Sequence, residues 1–105
     1  MKAHQLLNLP EAWCQEAPAE DADGHKLQAF DSRAVKWCVL GAIQKVYAPG
    51  EWGEAMDRVL RALSVSERGL AQMTKSDKAC CLMEWNDSGL NSFPEVRKVL
   101  LQADV

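Results

Sequence analysis

The chain has no apolar run long enough to cross a membrane, and Met1 to Leu9 (MKAHQLLNL, then Pro10) is too short in apolar residues for a secretory signal. It has no CxxC pair, no glycine-rich phosphate loop, no nucleophile elbow and no paired catalytic carboxylates on a shared motif. A basic excess is missing too. Lys and Arg number 12 against 15 Asp and Glu, a net charge of −3, so nucleic acid is not an expected partner. Of the four cysteines (Cys14, Cys38, Cys80 and Cys81), two are adjacent, a poor pattern for bridges that close real loops. Reduced thiols in a cytoplasm are the expectation.

What remains is an ordinary globular composition, with 48% hydrophobic and 26% charged residues over 105 positions. That length fits one domain spanning residues 1–105, which buries roughly 65% of its unfolded surface without staples. The one composition shift is Glu16 to Gly24 (EAPAEDADG), whose acids, Pro18 and Gly24 predict a solvated loop. Before it, Pro10 and Glu11 suit a brief helix, whereas Trp13 to Gln15 could equally pair with Lys26-Leu27 as a small hairpin. The two readings stay open.

Helix signals follow in order. Asp31 or Ser32 can cap a helix running to about Tyr47, stopped by Pro49-Gly50. A second spans roughly Glu51 to Leu63, with Trp52, Ala55, Met56, Val59, Leu60 and Leu63 on one face and the pairs Glu54–Arg58 and Asp57–Arg61 on the other. Ser66 to Met73 gives one more turn. Thr74 or Ser76 can cap a third helix through Trp85, ended by Asn86-Asp87-Ser88-Gly89. A last helix opens on the capping box Ser92/Glu95 with Pro94 in its first turn, burying Phe93, Val96, Val99, Leu100 and Ala103. The expected fold is mainly α, a compact bundle of about four helices, with room for a small N-terminal β-hairpin.

The segment from Ser32 to Tyr47 carries the most functional information. At about 100° per residue, Val35, Cys38, Val39, Ala42 and Val46 share a core side, yet Trp37, Leu40 and Tyr47 fall on or near the far side, close to Arg33 and Gln44. One account has Leu6, Leu7, Leu9 and Trp13 of the N-terminal segment covering this second face, an arrangement that Gly41 beside Ala42 would allow. The other makes Trp37, Leu40, Tyr47 and Arg33 a partner-binding patch, since Trp, Tyr and Arg dominate binding hot spots.

Other chemistry is thin. A cysteine nucleophile needs a base and an electropositive setting. Cys14 beside a loop, with His25 across the acidic segment, is the better candidate, but the acids favour its thiol form; Cys38 reads as a core residue inside a helix. His4, Cys14, His25 and Cys38 match no zinc spacing, so neither metal nor cofactor is implied. Asp87 is one carboxylate in a turn.

Three blocks together resemble an uncharacterised family of short bacterial and phage-borne proteins, a domain of unknown function. They are Trp13-Cys14-Gln15, then Ala34-Val35-Lys36-Trp37-Cys38-Val39-Leu40-Gly41-Ala42-Ile43, then Asn86-Asp87 followed by Glu95-Val96 and Leu100. The resemblance implies a mostly helical domain and carries no activity or catalytic residue. It also implies glycine at the position held here by Glu16, and a shorter central helix. Such proteins travel on mobile elements, where small domains bind and modulate host proteins. The expected function is therefore a non-catalytic protein-interaction domain, a modulator or inhibitor of a host protein. The alternative is a small cysteine- or metal-dependent enzyme using Cys14, His25 and Cys38; a homodimer hiding Trp37 and Leu40 is a third reading.

Overall fold

The computed structural model describes residues 1–105. Six α-helices dominate: α1 (Ala3–Leu6), α2 (Val39–Val46), α3 (Trp52–Ala62), α4 (Glu67–Gln72), α5 (Lys75–Asp87) and α6 (Phe93–Ala103). Three two-residue strands, β1 (Ala19–Glu20), β2 (Lys26–Leu27) and β3 (Lys36–Trp37), form an antiparallel sheet in the order β2-β1-β3. The mainly helical expectation stands, with two more helices than the four read from the sequence, both short. No helix is long and apolar enough to cross a membrane.

The later helices begin where their polar residues dictate. Thr74 accepts from the Asp77 N–H while the Asp77 carboxylate accepts from the Thr74 N–H, a reciprocal cap on α5. Ser66 caps α4 by accepting from the Gly69 N–H. Ser92 differs from expectation: it precedes α6 but accepts no capping bond. On the outer faces Glu54 pairs with Arg58 at 3.8 Å, but the expected Asp57–Arg61 pair is replaced. Asp57 meets Lys78 of α5 at 2.7 Å, and Arg61 turns to Glu67 at 2.5 Å. Tertiary neighbours outcompeted the i,i+4 partner.

Helices α5 and α6 pack on the apolar stripe of α3, and α3 and α5 pack on α2, so that Val39, Ile43, Val59, Leu60, Leu82, Val96 and Leu100 are fully buried in one hydrophobic cluster. Truncating any of these leucines to alanine would be expected to cost about 2–5 kcal/mol. Part of the N-terminal segment packs on α2. Helix α1 packs on α2 and α6, with Ala3 and Leu7 fully buried, while Leu9 stays 57% exposed.

Two expectations about the first half are corrected. The acidic segment is not a wholly solvated loop: Ala19 is fully buried as the middle strand, paired to Leu27 on one side and Trp37 on the other. Only its tip is solvated, where the Asp21 carboxylate accepts from the Asp23 and His25 N–H groups and Gly24 takes φ 83°. Lys26-Leu27 thus pairs with Ala19-Glu20 rather than with Trp13–Gln15; Trp13 instead bridges Trp37 in parallel.

The helix expected from Ser32 starts at Val39. Asp31 does stop and turn the chain, its carboxylate taking the Arg33 N–H and guanidinium. The next residues bring β-branched Val35 and aromatic Trp37 to the sheet, with Lys36-Trp37 as its strand and the Val35 N–H on the Glu20 carbonyl at 2.9 Å. Cys38 is therefore the N-cap of α2, its Sγ accepting from the Gly41 N–H at 3.2 Å, and not a residue two turns inside a helix.

Candidate functional site

The three sequence blocks that look unrelated along the chain meet at one buried side chain. Asn86, four residues beyond Leu82 on the inner face of α5, is fully buried. Its Oδ1 accepts from the Trp13 indole Nε1–H at 2.8 Å and from the Val39 N–H at 3.0 Å. Its Nδ2 donates to the Cys14 carbonyl at 3.2 Å and to Asp87 Oδ1 at 2.9 Å. Its own carbonyl accepts from Gln15 Nε2 at 3.0 Å. All four hydrogen-bonding positions of the carboxamide are filled, as a buried amide requires. Val39 is the first residue of α2, so Asn86 also satisfies an N–H that the helix leaves free.

The connection continues to the surface. Asp87 Oδ1 also accepts from the Glu16 N–H at 2.8 Å, holding Glu16 in the left-handed conformation at φ 67°. Next to it the Pro18 carbonyl accepts the Cys38 N–H at 3.1 Å and lies against Gly41, where an added Cβ would come within 1.9 Å of the Pro18 oxygen. Between this edge and α5 opens a cleft of about 390 Å³, with Pro18, Cys38, Cys80 and Met83 among its apolar lining and Glu16, Glu84 and Asp87 as its acids.

The cysteines are placed unlike nucleophiles. Burial, then the Glu20 carboxylate and the Cys38 thiol, push Cys14 up to about 12. Burial likewise raises Cys38, against the lowering effect of the Gly41 N–H on its sulfur. Neither is a thiolate at neutral pH. His25 stands on the exposed β1–β2 turn with its Nδ1 3.0 Å from Asp21 Oδ2. Asp21, Asp23 and His25 bring three metal-ligating atoms within 4.8 Å of one another. Main-chain hydrogen bonds of the turn account for that grouping.

The residues expected to form a partner patch do not share one surface. Trp37 is buried, and its indole donates to the Ala29 carbonyl at 3.0 Å; this corrects its placement on an outer helical face, because it lies in β3. Tyr47 ends α2 with its hydroxyl donating to the Val105 carbonyl at 3.1 Å. Arg33 is exposed and tied to Asp31, whose carboxyl it holds down at about 2. Tyr47 and Arg33 each line a different hollow, whereas Leu40 opens on a groove of about 210 Å³ that it shares with Trp52 and Met56. Beside it Phe30, 60% exposed, stacks on Trp52 with ring centroids 6.5 Å apart.

Asn86 went unread because Asn-Asp-Ser-Gly is a string of turn formers. The signal that could have found it is spacing: Asn86 lies one turn after Leu82 and so shares its buried side of α5.

Residues 1–104 match the family of unknown function DUF6197, and the chain belongs to that family. No curated protein and no solved structure matches it.

Proposed function

We propose that the chain is a small non-catalytic protein-interaction domain that docks a partner at the cleft between α5 and the Glu16–Pro18 edge. The observation that carries this reading is the construction of the cleft. A fully satisfied buried amide fixes three distant segments around an open hollow whose Cys38 thiol stays protonated. Such a surface is preorganised for contact and poorly equipped to activate a nucleophile. Four free cysteines support a reducing, cytoplasmic setting. In its specific form the reading makes the chain a modulator or inhibitor of a host protein, carried by a phage or another mobile element. The cysteine enzyme using Cys14, His25 and Cys38 is less well supported, because Cys14 is buried while His25 stands exposed on the β1–β2 turn, paired with Asp21.

A second surface has its own observation in its favour. The Leu40 groove with the stacked Phe30–Trp52 pair offers exposed aromatic area of the kind that anchors partners.

Affinity capture from lysate of the native host tests both, using the folded natural chain beside folded Met83→Arg and Leu40→Ser variants. A protein retained by the natural chain and lost with Met83→Arg supports the cleft. Loss only with Leu40→Ser moves the docking site to the groove. Identical proteins from all three would remove the interaction reading.

A further inference from the structure

Resting on that docking reading, we propose that the cleft takes the side chain of one arginine or lysine presented by a partner protein. The chain contains six ion pairs, and none involves Glu16, Glu84 or Asp87. These three carboxylates line the same hollow, and no Lys, Arg or His lines it with them. Asp87 is held by its Oδ1, which takes two N–H donors, while its Oδ2 accepts no hydrogen bond from the chain. The remaining lining is apolar and rich in sulfur, from Pro18, Cys38, Cys80 and Met83.

An apolar floor under an acidic rim matches one side-chain chemistry. Arginine and lysine bury an aliphatic stem and keep the cation at the end, and a guanidinium reads carboxylates through several N–H groups at once. A volume of about 390 Å³ lies at the small end of ligand sites. It is large enough to admit one long side chain. An acidic peptide would meet three like charges.

Cys80 is an exposed thiol in the cleft and serves as the reporter. In full-length protein carrying Cys81→Ser, its modification by a cationic and an anionic methanethiosulfonate is timed, each normalised to a free thiol. The cationic reagent is expected to react about tenfold faster, in line with charge focusing in clefts. Glu16→Gln with Glu84→Gln should bring the ratio close to one. A blocked Gly-Arg-Gly peptide should then slow modification by a neutral reagent in a saturable manner, and Gly-Gln-Gly should not.

Equal rates for both reagents, or equal protection by both peptides, would overturn the assignment of a basic side chain. Neither result touches the docking reading, which the capture experiment tests separately. Tighter protection by agmatine than by the arginine peptide would place a free amine there and overturn the protein source. Protection that grows with the chain's own concentration would make the occupant a second copy, with the same consequence.

Discussion

Asn86 Oδ1 and the main-chain N–H of Val39, 47 residues apart in sequence, meet at 3.0 Å in the protein interior. The same oxygen holds the Trp13 indole at 2.8 Å. Asn86→Ala removes the acceptor from two buried donors and the donor from the Cys14 carbonyl. Leaving such groups unpaired is worth about 1–3 kcal/mol each, so a total loss of about 3–4 kcal/mol is expected after partial relaxation. The check is the urea midpoint at unchanged slope. A loss below about 1 kcal/mol would mean that water replaces the carboxamide.

Gly41→Ala should be destabilising although alanine is the better helix former. The new methyl would sit 1.9 Å from the Pro18 oxygen, and that carbonyl is pinned by the Cys38 N–H. Overpacking of about 3 kcal/mol, less a helix-propensity gain of about 1, leaves a net loss of about 2 kcal/mol. Thermal unfolding should show a drop on the order of 10 °C. Gly53→Ala is the matched control: nothing lies within 4 Å of the added atom, and a gain of up to about 1 kcal/mol is expected.

Glu16→Gly should stabilise the fold. Glu16 is held at φ 67°, a conformation that costs a side-chain-bearing residue about 1–2 kcal/mol and glycine very little. Glycine's greater freedom in the unfolded chain offsets part of this, leaving a gain of about 0.5–1 kcal/mol. Chemical denaturation measures it, and any loss of stability would show that the Glu16 side chain contributes more than its backbone strain removes. The glycine that the family resemblance implies at this position has the same physical reason.

Stability should fall at alkaline pH through the buried thiols. The Cys14 thiol rises from 9.0 to about 12 in the folded chain, so its contribution is complete below pH 9 and is lost as pH climbs towards 12. One such group gives a slope of about 1.4 kcal/mol per pH unit in that window. Cys38 is raised in the same direction. Denaturation midpoints between pH 8 and pH 10.5 should therefore decline, less steeply in Cys14→Ala. Equal slopes in both proteins would mean that Cys14 ionises freely in the native state.

Different parts of the molecule are legible in the residues with different ease. Helices α3 and α6 were legible from amphipathic spacing, and α5 from its Thr74/Asp77 cap and the turn that ends it, all written within a few residues. The start of α2 was not. Arg33 to Trp37 fits a helical period, and what overrides it is pairing of Lys36-Trp37 with Ala19-Glu20, partners 16 and 18 positions away that two-residue strands do not announce. The node around Asn86 was hidden for the same reason, since its meaning depends on Trp13, Cys14 and Val39. The resemblance did name those blocks together, without saying that they touch.

Closing this node also has a temporal side. Its bonds join positions 47 and 73 residues apart, whereas α3, α5 and α6 form within themselves. Loops of that length close late, after local helices have gathered. Contacts completed after the transition state act on the rate of escape from the folded state and hardly on the rate of reaching it. Stopped-flow chevrons of Asn86→Ala should therefore show a steeply faster unfolding limb over a nearly unchanged refolding limb. The Asn86 carboxamide would then act as a latch, setting how long each folded molecule lasts.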